Sequence, residues 1–307
     1  MPKGTITLEW SLRFNKRTSP NPLLKEGALK SPPLGGFRGS FFVGALLFVF
    51  SVTQATPQRI ISLAPNITEI VYYLGAQDQL IGVTSACDYP KASKQKTIVG
   101  DVGNPSLEDI VKVSPDLILA SGLYTPKVNQ LKNFQYPIKL YSPKKLGDLL
   151  TMMTDIGSLV SANEERLQRI SILESKINKL MARNQKKKQV KYLLLLWDNP
   201  LIVASSSSFE SSVLTVLNAK NVVANAKDAY PKMSMEAVIA SQPDVILVAQ
   251  EGIIKNIKTS LIWQNLNAVK TRKVFEVNPS HLLRPGPRII KGLTEIQIVF
   301  DDWRRKN

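Results

Sequence analysis

The chain contains one stretch twice, and this repeat decides the fold. Residues 106–119 read SLEDIVKVSPDLIL and residues 234–247 read SMEAVIASQPDVIL, at a constant offset of 128 positions. Each copy begins with a serine cap and a first-turn glutamate, continues as a helix that stops before proline, and ends in a buried strand. Solenoid repeats are only about 20–50 residues long. The repeat therefore predicts two similar domains.

Strand and helix signals alternate around both copies. A strand is predicted at 59–63, followed by a helix that Asn66 caps, with Glu69 completing a capping box. Further strands are predicted at 80–83 and 192–196. This alternation indicates an α/β fold with mostly parallel sheets.

A long amphipathic helix is predicted between the two copies, over residues 162–185. Its apolar residues recur at spacings of three and four, and charged residues occupy the other face. At 1.5 Å per residue it would be about 35 Å long. A second amphipathic helix is predicted to begin near Pro287, a residue type favoured in the first turn. The order is therefore domain, long helix, domain.

The beginning of the chain has the pattern of an export signal. Residues 41–52 form an apolar run with Arg38 before it and small residues at the end of 53–55. Twelve residues are too few to span a bilayer, which takes about 20, but they are typical of a signal-peptide core. We therefore expect a signal peptide at 37–55, an unstructured extension at 1–36, and a soluble periplasmic protein. No cysteine lies directly after the run, so a lipid anchor at a mature N-terminal cysteine is not expected.

Composition excludes several classes of site. The single cysteine, Cys87, excludes an internal disulfide and is expected to be a small buried residue, and the single histidine, His281, excludes histidine-pair metal sites. The sequence contains neither a dinucleotide-binding nor a P-loop glycine motif. The serine tract at 205–208 is expected to be a flexible loop and not a nucleophile. An enzyme on this scaffold is therefore a distant alternative.

The net charge of +16 favours acidic partners, whether anionic ligands, lipid head groups or nucleic acid. Charge alone does not choose among them. The export signal and the lack of a recognised motif disfavour binding to DNA.

Five landmarks carry a resemblance to a known family. They are SLAPNITE at 62–69, DYP at 88–90, the repeated unit, NP at 199–200 and RPGPR at 284–288. None is specific alone, but their order and spacing together are. Over residues 59–300 the chain resembles the helical-backbone periplasmic binding proteins of iron-complex and vitamin B12 ABC importers.

The resemblance implies two Rossmann-like lobes joined by a single long α-helix, with a ligand cleft between the lobes and no catalysis. The expected boundaries are 56–160 for the N-terminal lobe, 161–188 for the connecting helix and 189–307 for the C-terminal lobe. The expected partners are an inner-membrane ABC permease and a small-molecule metal complex, bound by a monomer without a cofactor of its own. No nucleic-acid partner is expected.

The resemblance also implies site residues. Tyr89 and Tyr230 fall where the family places aromatic rings against the ligand, and Arg284 falls near the ligand. From the residues alone, the tyrosines could equally be ordinary loop packing. Trp197 is predicted at the carboxyl end of a strand, where open α/β sheets hold ligands. His281 could coordinate a metal, stack on the ligand, or be an exposed loop histidine.

Glu108 and Glu236 occupy the same place in the two copies of the repeat. The resemblance implies that they dock onto arginines of the permease, one from each lobe. A first-turn carboxylate also stabilises its own helix, so a purely structural role explains both residues equally well.

The ligand expected first is cobalamin or a related corrinoid. Val102 and Ser121 stand where the resemblance would place tryptophans, and His281 stands where it would place a third aromatic residue. These departures leave less surface for stacking on a flat ring. Haem or a ferric siderophore is the alternative ligand within the same class.

Overall fold

The computed structural model of the chain describes residues 57–122, 125–160, 162–224 and 226–307. The expected extension at 1–36 and signal peptide at 37–55 lie outside these residues. Across the described ranges, every helix is too short or too polar to cross a membrane.

Helices and strands alternate along the described chain. The strands are β1 (Ile60–Ser62), β2 (Leu80–Val83), β3 (Thr97–Ile98), β4 (Gly100–Asp101), β5 (Asn104–Pro105), β6 (Leu117–Ser121), β7 (Ile138–Tyr141), β8 (Val190–Asp198), β9 (Leu201–Val203), β10 (Ala219–Asn221), β11 (Val245–Val248) and β12 (Val274–Glu276). The α-helices are α1 (Pro65–Tyr73), α2 (Leu107–Val113), α3 (Thr125–Leu131), α4 (Leu146–Leu159), α5 (Glu164–Asn184), α6 (Phe209–Leu214), α7 (Met235–Ser241), α8 (Ile254–Thr259), α9 (Asn267–Lys270), α10 (Pro279–Leu282) and α11 (Ile289–Arg305).

Two sheets organise the molecule. The first has the order β3-β2-β1-β6-β7 and is parallel throughout. The second has the order β10-β8-β11-β12, also parallel, with β9 paired antiparallel to β8. We call the first sheet with its helices the first lobe, and the second sheet with its helices the second lobe. In each sheet the next parallel strands along the chain are added on one side of the first strand, β1 or β8. The later strands are then added on its other side.

The unit repeated at 106–119 and 234–247 has the predicted structure in both lobes. Ser106 caps α2 by accepting the Asp109 amide at 3.2 Å, and Ser234 caps α7 in the same way from Ala237. The helices end in a left-handed residue and lead into the parallel strands β6 and β11. The α/β prediction is confirmed by these units.

The strands place alternate side chains in different layers. Ile60 of β1 and Leu194 of β8 belong to one core cluster that contains residues of both lobes and of α5. Ile61 packs on the outer face of the first sheet, and Leu193 on the outer face of the second. Since one continuous core joins the lobes, they cannot separate without exposing apolar surface.

The long connecting helix is confirmed as α5, 21 residues long. Asn163 caps it by accepting the amide of Arg166 at 3.0 Å. Ile170, Leu173 and Ile177 are buried on one face, in the core shared by the lobes. The domain boundaries predicted on either side of this helix stay predictions.

Two helix starts differ from the prediction. Ala64 is the N-cap of α1, so Asn66 lies inside the helix and its side-chain amide donates instead to the carbonyl of Pro285 at 3.2 Å. The predicted capping box is therefore wrong. The C-terminal helix α11 begins at Ile289 after Arg288, two residues beyond Pro287.

Candidate functional site

Three predicted ligand residues lie at the carboxyl end of a strand or in the segment that follows it. Tyr89 follows β2, Trp197 lies near the end of β8, and Tyr230 follows β10. Open α/β sheets bind ligands at this edge, where the strand order reverses. The strands β2 and β10 hold equivalent places, each beside the first strand of its sheet. The two tyrosines therefore occupy corresponding positions in the two lobes.

The ring of Tyr89 is 40% exposed and packs on cations from the C-terminal segment. The guanidinium carbon of Arg288 lies 4.2 Å from the ring centroid, and Nζ of Lys291 lies 5.9 Å from it. Exposed cation–π contacts contribute about 0.5–1 kcal/mol each. The contacts hold the ring against the start of α11.

A buried carboxylate, Glu69, organises the arginines around Tyr89. Its Oε2 accepts Nε of Arg288 at 2.7 Å and its Oε1 accepts Nη2 of Arg288 at 2.5 Å. Nη1 of Arg284 lies 3.5 Å from the same Oε1 and donates to Oδ1 of Asp88 at 2.6 Å. Bidentate arginine–carboxylate pairs are strong and fix the guanidinium plane. The network joins the first lobe to the segment that follows β12.

Arg284, predicted to meet the ligand, already has carboxylate partners within the protein. Its hydrogen bond to Asp88 is the main reason why the pKa of Asp88 lies below the usual aspartate range. About a quarter of the Arg284 side chain is exposed. Only that exposed part is free to meet a ligand.

In the second lobe, Trp197 and Tyr230 are about half exposed, at 49% and 47%. The indole nitrogen of Trp197 donates to the carbonyl of Asn199 at 2.8 Å. The Tyr230 hydroxyl donates to both carboxylate oxygens of Glu210 at 3.3 Å. A bridge between Ile202 and Lys232 places the segment after Tyr230 beside β9, which itself pairs with β8.

Glu210 is 3% exposed and has polar, uncharged partners. Burial raises its pKa, and hydrogen bonds from its own backbone and from the side chains of Ser208 and Tyr230 lower it by less. Burial and the neighbouring Glu210 carboxylate in turn raise the pKa of Tyr230. The hydroxyl of Tyr230 therefore remains protonated and donates its hydrogen bond across the neutral range.

The serine tract at 205–208 is an ordered part of this lobe. Ser205 and Ser208 are buried, and Oγ of Ser205 donates to the carbonyl of Asp228 at 2.8 Å. Ser208 caps α6 by accepting the amide of Ser211 at 3.2 Å. The prediction of a flexible loop is therefore wrong for Ser205 and Ser208, whose hydroxyls are hydrogen-bonded within the lobe, while Ser206 and Ser207 are exposed.

His281 lies on the short helix α10, and its side chain is 16% exposed. Its Nδ1 is 2.9 Å from Oε1 of Glu295 on α11. The alternative of an exposed loop histidine is therefore wrong. One ring nitrogen is therefore committed to the neighbouring helix.

Glu108 and Glu236 are exposed in the first turns of α2 and α7. Glu108 forms an ion pair with Lys112 at 2.8 Å. Hydrogen bonds from its own backbone and from Ser234 lower the pKa of Glu236. Both carboxylates are thus accessible at equivalent helix starts of the two lobes.

A cavity of about 350 Å³ borders Tyr89. Its walls include Tyr72 and Tyr73 of α1, Leu173 of α5, and Lys291 of α11. Ligand sites for small molecules typically begin at about 300 Å³ and are mostly apolar. Tyr89 lines this cavity, whereas Trp197, Tyr230, His281 and Arg284 do not.

The described side chains offer no cluster of three or more histidine, cysteine, aspartate or glutamate residues that could hold a metal ion. Cys87 is 2% exposed, and its Sγ accepts the Thr68 hydroxyl at 3.1 Å. The prediction of a small buried cysteine is confirmed.

The family follows from a comparison with protein-family models. Residues 60–280 match the model described as periplasmic binding protein, which is more than half of the chain. The chain belongs to the periplasmic binding protein family. Proteins of this family bind substrates for transport and are not enzymes, so the expectations of family and of no catalysis are confirmed.

Individual relatives of this periplasmic binding protein match over most of their length. The vitamin B12-binding protein of Vibrio vulnificus is 30% identical over 83% of this chain and 94% of the relative. An uncharacterised ABC transporter substrate-binding lipoprotein of Bacillus subtilis is 28% identical over 78% of this chain and 79% of the relative.

A solved structure matches the fold. The periplasmic vitamin B12 binding protein of Vibrio cholerae superposes with a TM-score of 0.72 at 26% identity, covering 81% of this chain and 98% of that one. The two-lobed α/β architecture is thereby confirmed for this periplasmic binding protein.

Sequence reasoning missed the pairing of Glu69 with Arg288 and all contacts of Glu210. The sequence pattern predicts Glu69 to be part of a capping box, yet its partner Arg288 lies 219 positions away. The one available signal was that Glu69 lies beside the apolar stripe of its helix, which indicates a buried carboxylate with a partner. Nothing in the local sequence marks Glu210 as buried.

Proposed function

We propose that this periplasmic binding protein captures cobalamin or a related corrinoid outside the cytoplasm and delivers it to the permease of an ABC importer. The observation that carries the proposal is the placement of Tyr89, Trp197 and Tyr230, each at least 40% exposed and each at the carboxyl end of a strand or in the segment that follows it. The similarity to vitamin B12-binding relatives over nearly their whole length supports the choice of ligand.

Binding would rest on flat apolar surface with polar edges. Each tyrosine presents a ring and one hydroxyl, which suits the rim of a large macrocycle. The exposed part of Arg284 and the second ring nitrogen of His281 would meet polar or metal groups of the ligand. A core shared by both lobes supports a nearly preformed site, which reduces the cost of ordering on binding.

Delivery would use Glu108 and Glu236. Both carboxylates are exposed, and they occupy the same position in the repeated unit of the two lobes. Two like charges at equivalent places can meet two cationic patches of a two-fold permease. Electrostatic complementarity of this kind sets association rate and orientation.

Location outside the cytoplasm is part of the proposal. It rests on the signal-peptide pattern at 37–55 and on the periplasmic nature of the relatives. A monomer is proposed as the working unit, since one chain contains both lobes.

The tyrosines provide the experiment that tests the ligand site. Tyr89→Ala combined with Tyr230→Ala is expected to weaken cobalamin binding by about 2–4 kcal/mol, from about 1–2 kcal/mol for each stacked ring. Binding is measured by isothermal titration calorimetry. Phe134→Ala is the matched control, because this aromatic residue is 48% exposed but lies before the amino end of β7. Unchanged affinity in the double variant would remove the tyrosines from the site.

A further inference from the structure

The described part of the chain buries two carboxylates, Glu69 and Glu210, each 3% exposed. An unpaired carboxylate is costly to bury, so each of these must have compensating partners. Both make contacts that lead to a tyrosine of the proposed site. The two arrangements use different chemistry.

In the first lobe the connection runs through guanidinium groups. Glu69 binds Arg288 with two hydrogen bonds, and the Arg288 guanidinium packs on the ring of Tyr89 at 4.2 Å. Arg284 adds a second connection, because it joins Glu69 to Asp88, the residue before Tyr89. The ring of Tyr89 and the side chain of the preceding Asp88 are thus contacted by arginines that meet at one buried carboxylate.

In the second lobe the connection is direct. The hydroxyl of Tyr230 lies 3.3 Å from both oxygens of Glu210, and among the described residues no lysine or arginine forms an ion pair with Glu210. The ring of Tyr230 stays 47% exposed. The carboxylate therefore holds the hydroxyl end of the side chain and leaves the ring face open.

The two arrangements occupy corresponding places. Glu69 lies on α1, the first helix after β1, and Glu210 lies on α6, the first helix after the β8–β9 pair. Twenty positions separate Glu69 from Tyr89, and twenty separate Glu210 from Tyr230. In both lobes the tyrosine follows the strand next to the first one.

We infer that Glu69 and Glu210 are positioning residues, which hold Tyr89 and Tyr230 in the orientation that the ligand meets. This inference rests on the proposed role of the two tyrosines in ligand contact. Neither glutamate needs to touch the ligand. Each fixes a ring from inside its own lobe, so that the ligand does not have to order it.

The anchoring itself is tested on the ligand-free protein labelled with 3-fluorotyrosine. The chain has eight tyrosines, and the fluorine signals of Tyr89 and Tyr230 are assigned from Tyr→Phe variants. Glu210→Leu removes the acceptor and is expected to move and broaden the Tyr230 signal alone. Glu210→Gln keeps an acceptor oxygen and is expected to restore it.

The first lobe has its own pair of variants. Arg288→Met removes the stacked guanidinium, and Glu69→Gln removes the charge that holds it. Both are expected to move the Tyr89 signal and to leave the Tyr230 signal in place. An unmoved Tyr89 signal in a folded Arg288→Met protein, or an unmoved Tyr230 signal in Glu210→Leu, would overturn the inference.

A double-mutant cycle in the second lobe tests the positioning role even if the buried substitutions in the first lobe prevent folding. Tyr230→Phe and Glu210→Leu are each expected to weaken cobalamin binding about five- to tenfold, the value of one hydrogen bond. The combined variant is expected to be no weaker than either alone. Additive losses would show that Glu210 acts on the ligand independently of Tyr230, and would overturn the positioning role.

The failures of the two ideas are distinguishable. If the fluorine signals respond as expected but the double tyrosine-to-alanine variant binds cobalamin normally, the glutamates do hold the tyrosines and the proposed ligand site is wrong. If loss of the tyrosines weakens binding but substitution of the glutamates leaves the fluorine signals unchanged, the proposed ligand site is supported and the positioning role of the glutamates is wrong.

Discussion

Two carboxylates near the proposed site have pKa values displaced in opposite directions. The pKa of Asp88 is lowered, chiefly by its hydrogen bond from Arg284, and that of Glu210 is raised by burial. Asp88 therefore stabilises the folded protein less as the pH falls, and Glu210 stabilises it less as the pH rises. Each direction gives a prediction.

Arg284→Met is expected to raise the pKa of Asp88 towards the ordinary aspartate range. A lowered pKa stabilises the folded protein above that range, and this contribution is lost as the pH falls through the folded-state pKa. The variant should therefore lose less stability on acidification than the wild type. Carbon-13 NMR of the carboxyl group reports the pKa directly. Arg183→Met is the control, because Arg183 lies 3.9 Å from a different carboxylate, Asp301. An Asp88 pKa that does not rise would contradict the assigned cause.

Glu210→Gln is expected to gain stability relative to the wild type as the pH rises above the ordinary glutamate range. The unfolded chain releases this proton first, so a raised folded-state pKa makes the wild type lose stability with rising pH. The neutral amide has no such loss. Urea unfolding of both proteins from acidic to neutral pH measures the difference. A difference that is independent of pH would show that burial does not raise the pKa of Glu210.

Among the helices, the close approach of α10 and α11 depends on Gly292. A Cβ atom at this position would lie 2.8 Å from the backbone carbonyl oxygen of His281. Gly292→Ala is therefore expected to destabilise the protein by about 1–3 kcal/mol, as overpacking does. Gly147→Ala in α4 is the control, since a Cβ there meets nothing within 4 Å. Replacing that helical glycine should stabilise the protein by up to about 1 kcal/mol.

Urea denaturation midpoints of the two glycine variants should move in opposite directions. Equal shifts in the same direction would contradict the described packing of α10 on α11. Because α10 carries His281, the same approach also sets where the imidazole lies relative to Glu295.

The helices and strands that sequence reasoning predicted well are those with local causes. The serine caps of α2 and α7 act on amides three positions away, and the stripe of α5 repeats every three to four residues. The start of α1 was mispredicted because Asn66 bonds to the carbonyl of Pro285, 219 positions along the chain. Partners so distant leave no mark on the local pattern.

The proposed site could be predicted only in part for the same reason. Tyr89 and Tyr230 are predicted from the family resemblance, and Trp197 from its place at the carboxyl end of a predicted strand. The buried glutamates that contact Tyr89 and Tyr230 depend on which helices pack together. The pattern of a single sequence does not contain that information. The burial of Glu210 and the bidentate pairing of Glu69 are examples.

The arrangement of the whole molecule supports symmetric docking. Glu108→Arg combined with Glu236→Arg is expected to abolish transport in cells and to leave ligand affinity near that of the wild type, because both contacts with the permease become repulsive. Glu164→Arg with Glu165→Arg is the matched control, since these exposed first-turn glutamates lie on α5 instead. Retained uptake in the first variant, or loss of its ligand affinity, would contradict the docking role.

Calorimetric titration of the protein with cyanocobalamin, haemin and a ferric catecholate tests the central proposal most directly. Saturable binding of one cyanocobalamin per chain, weakened by about 2–4 kcal/mol when Tyr89 and Tyr230 are both alanine, is the expected result. Tight binding of haemin without binding of cyanocobalamin would contradict the proposed ligand and would assign His281 to iron. Binding of none of the three would contradict it as well.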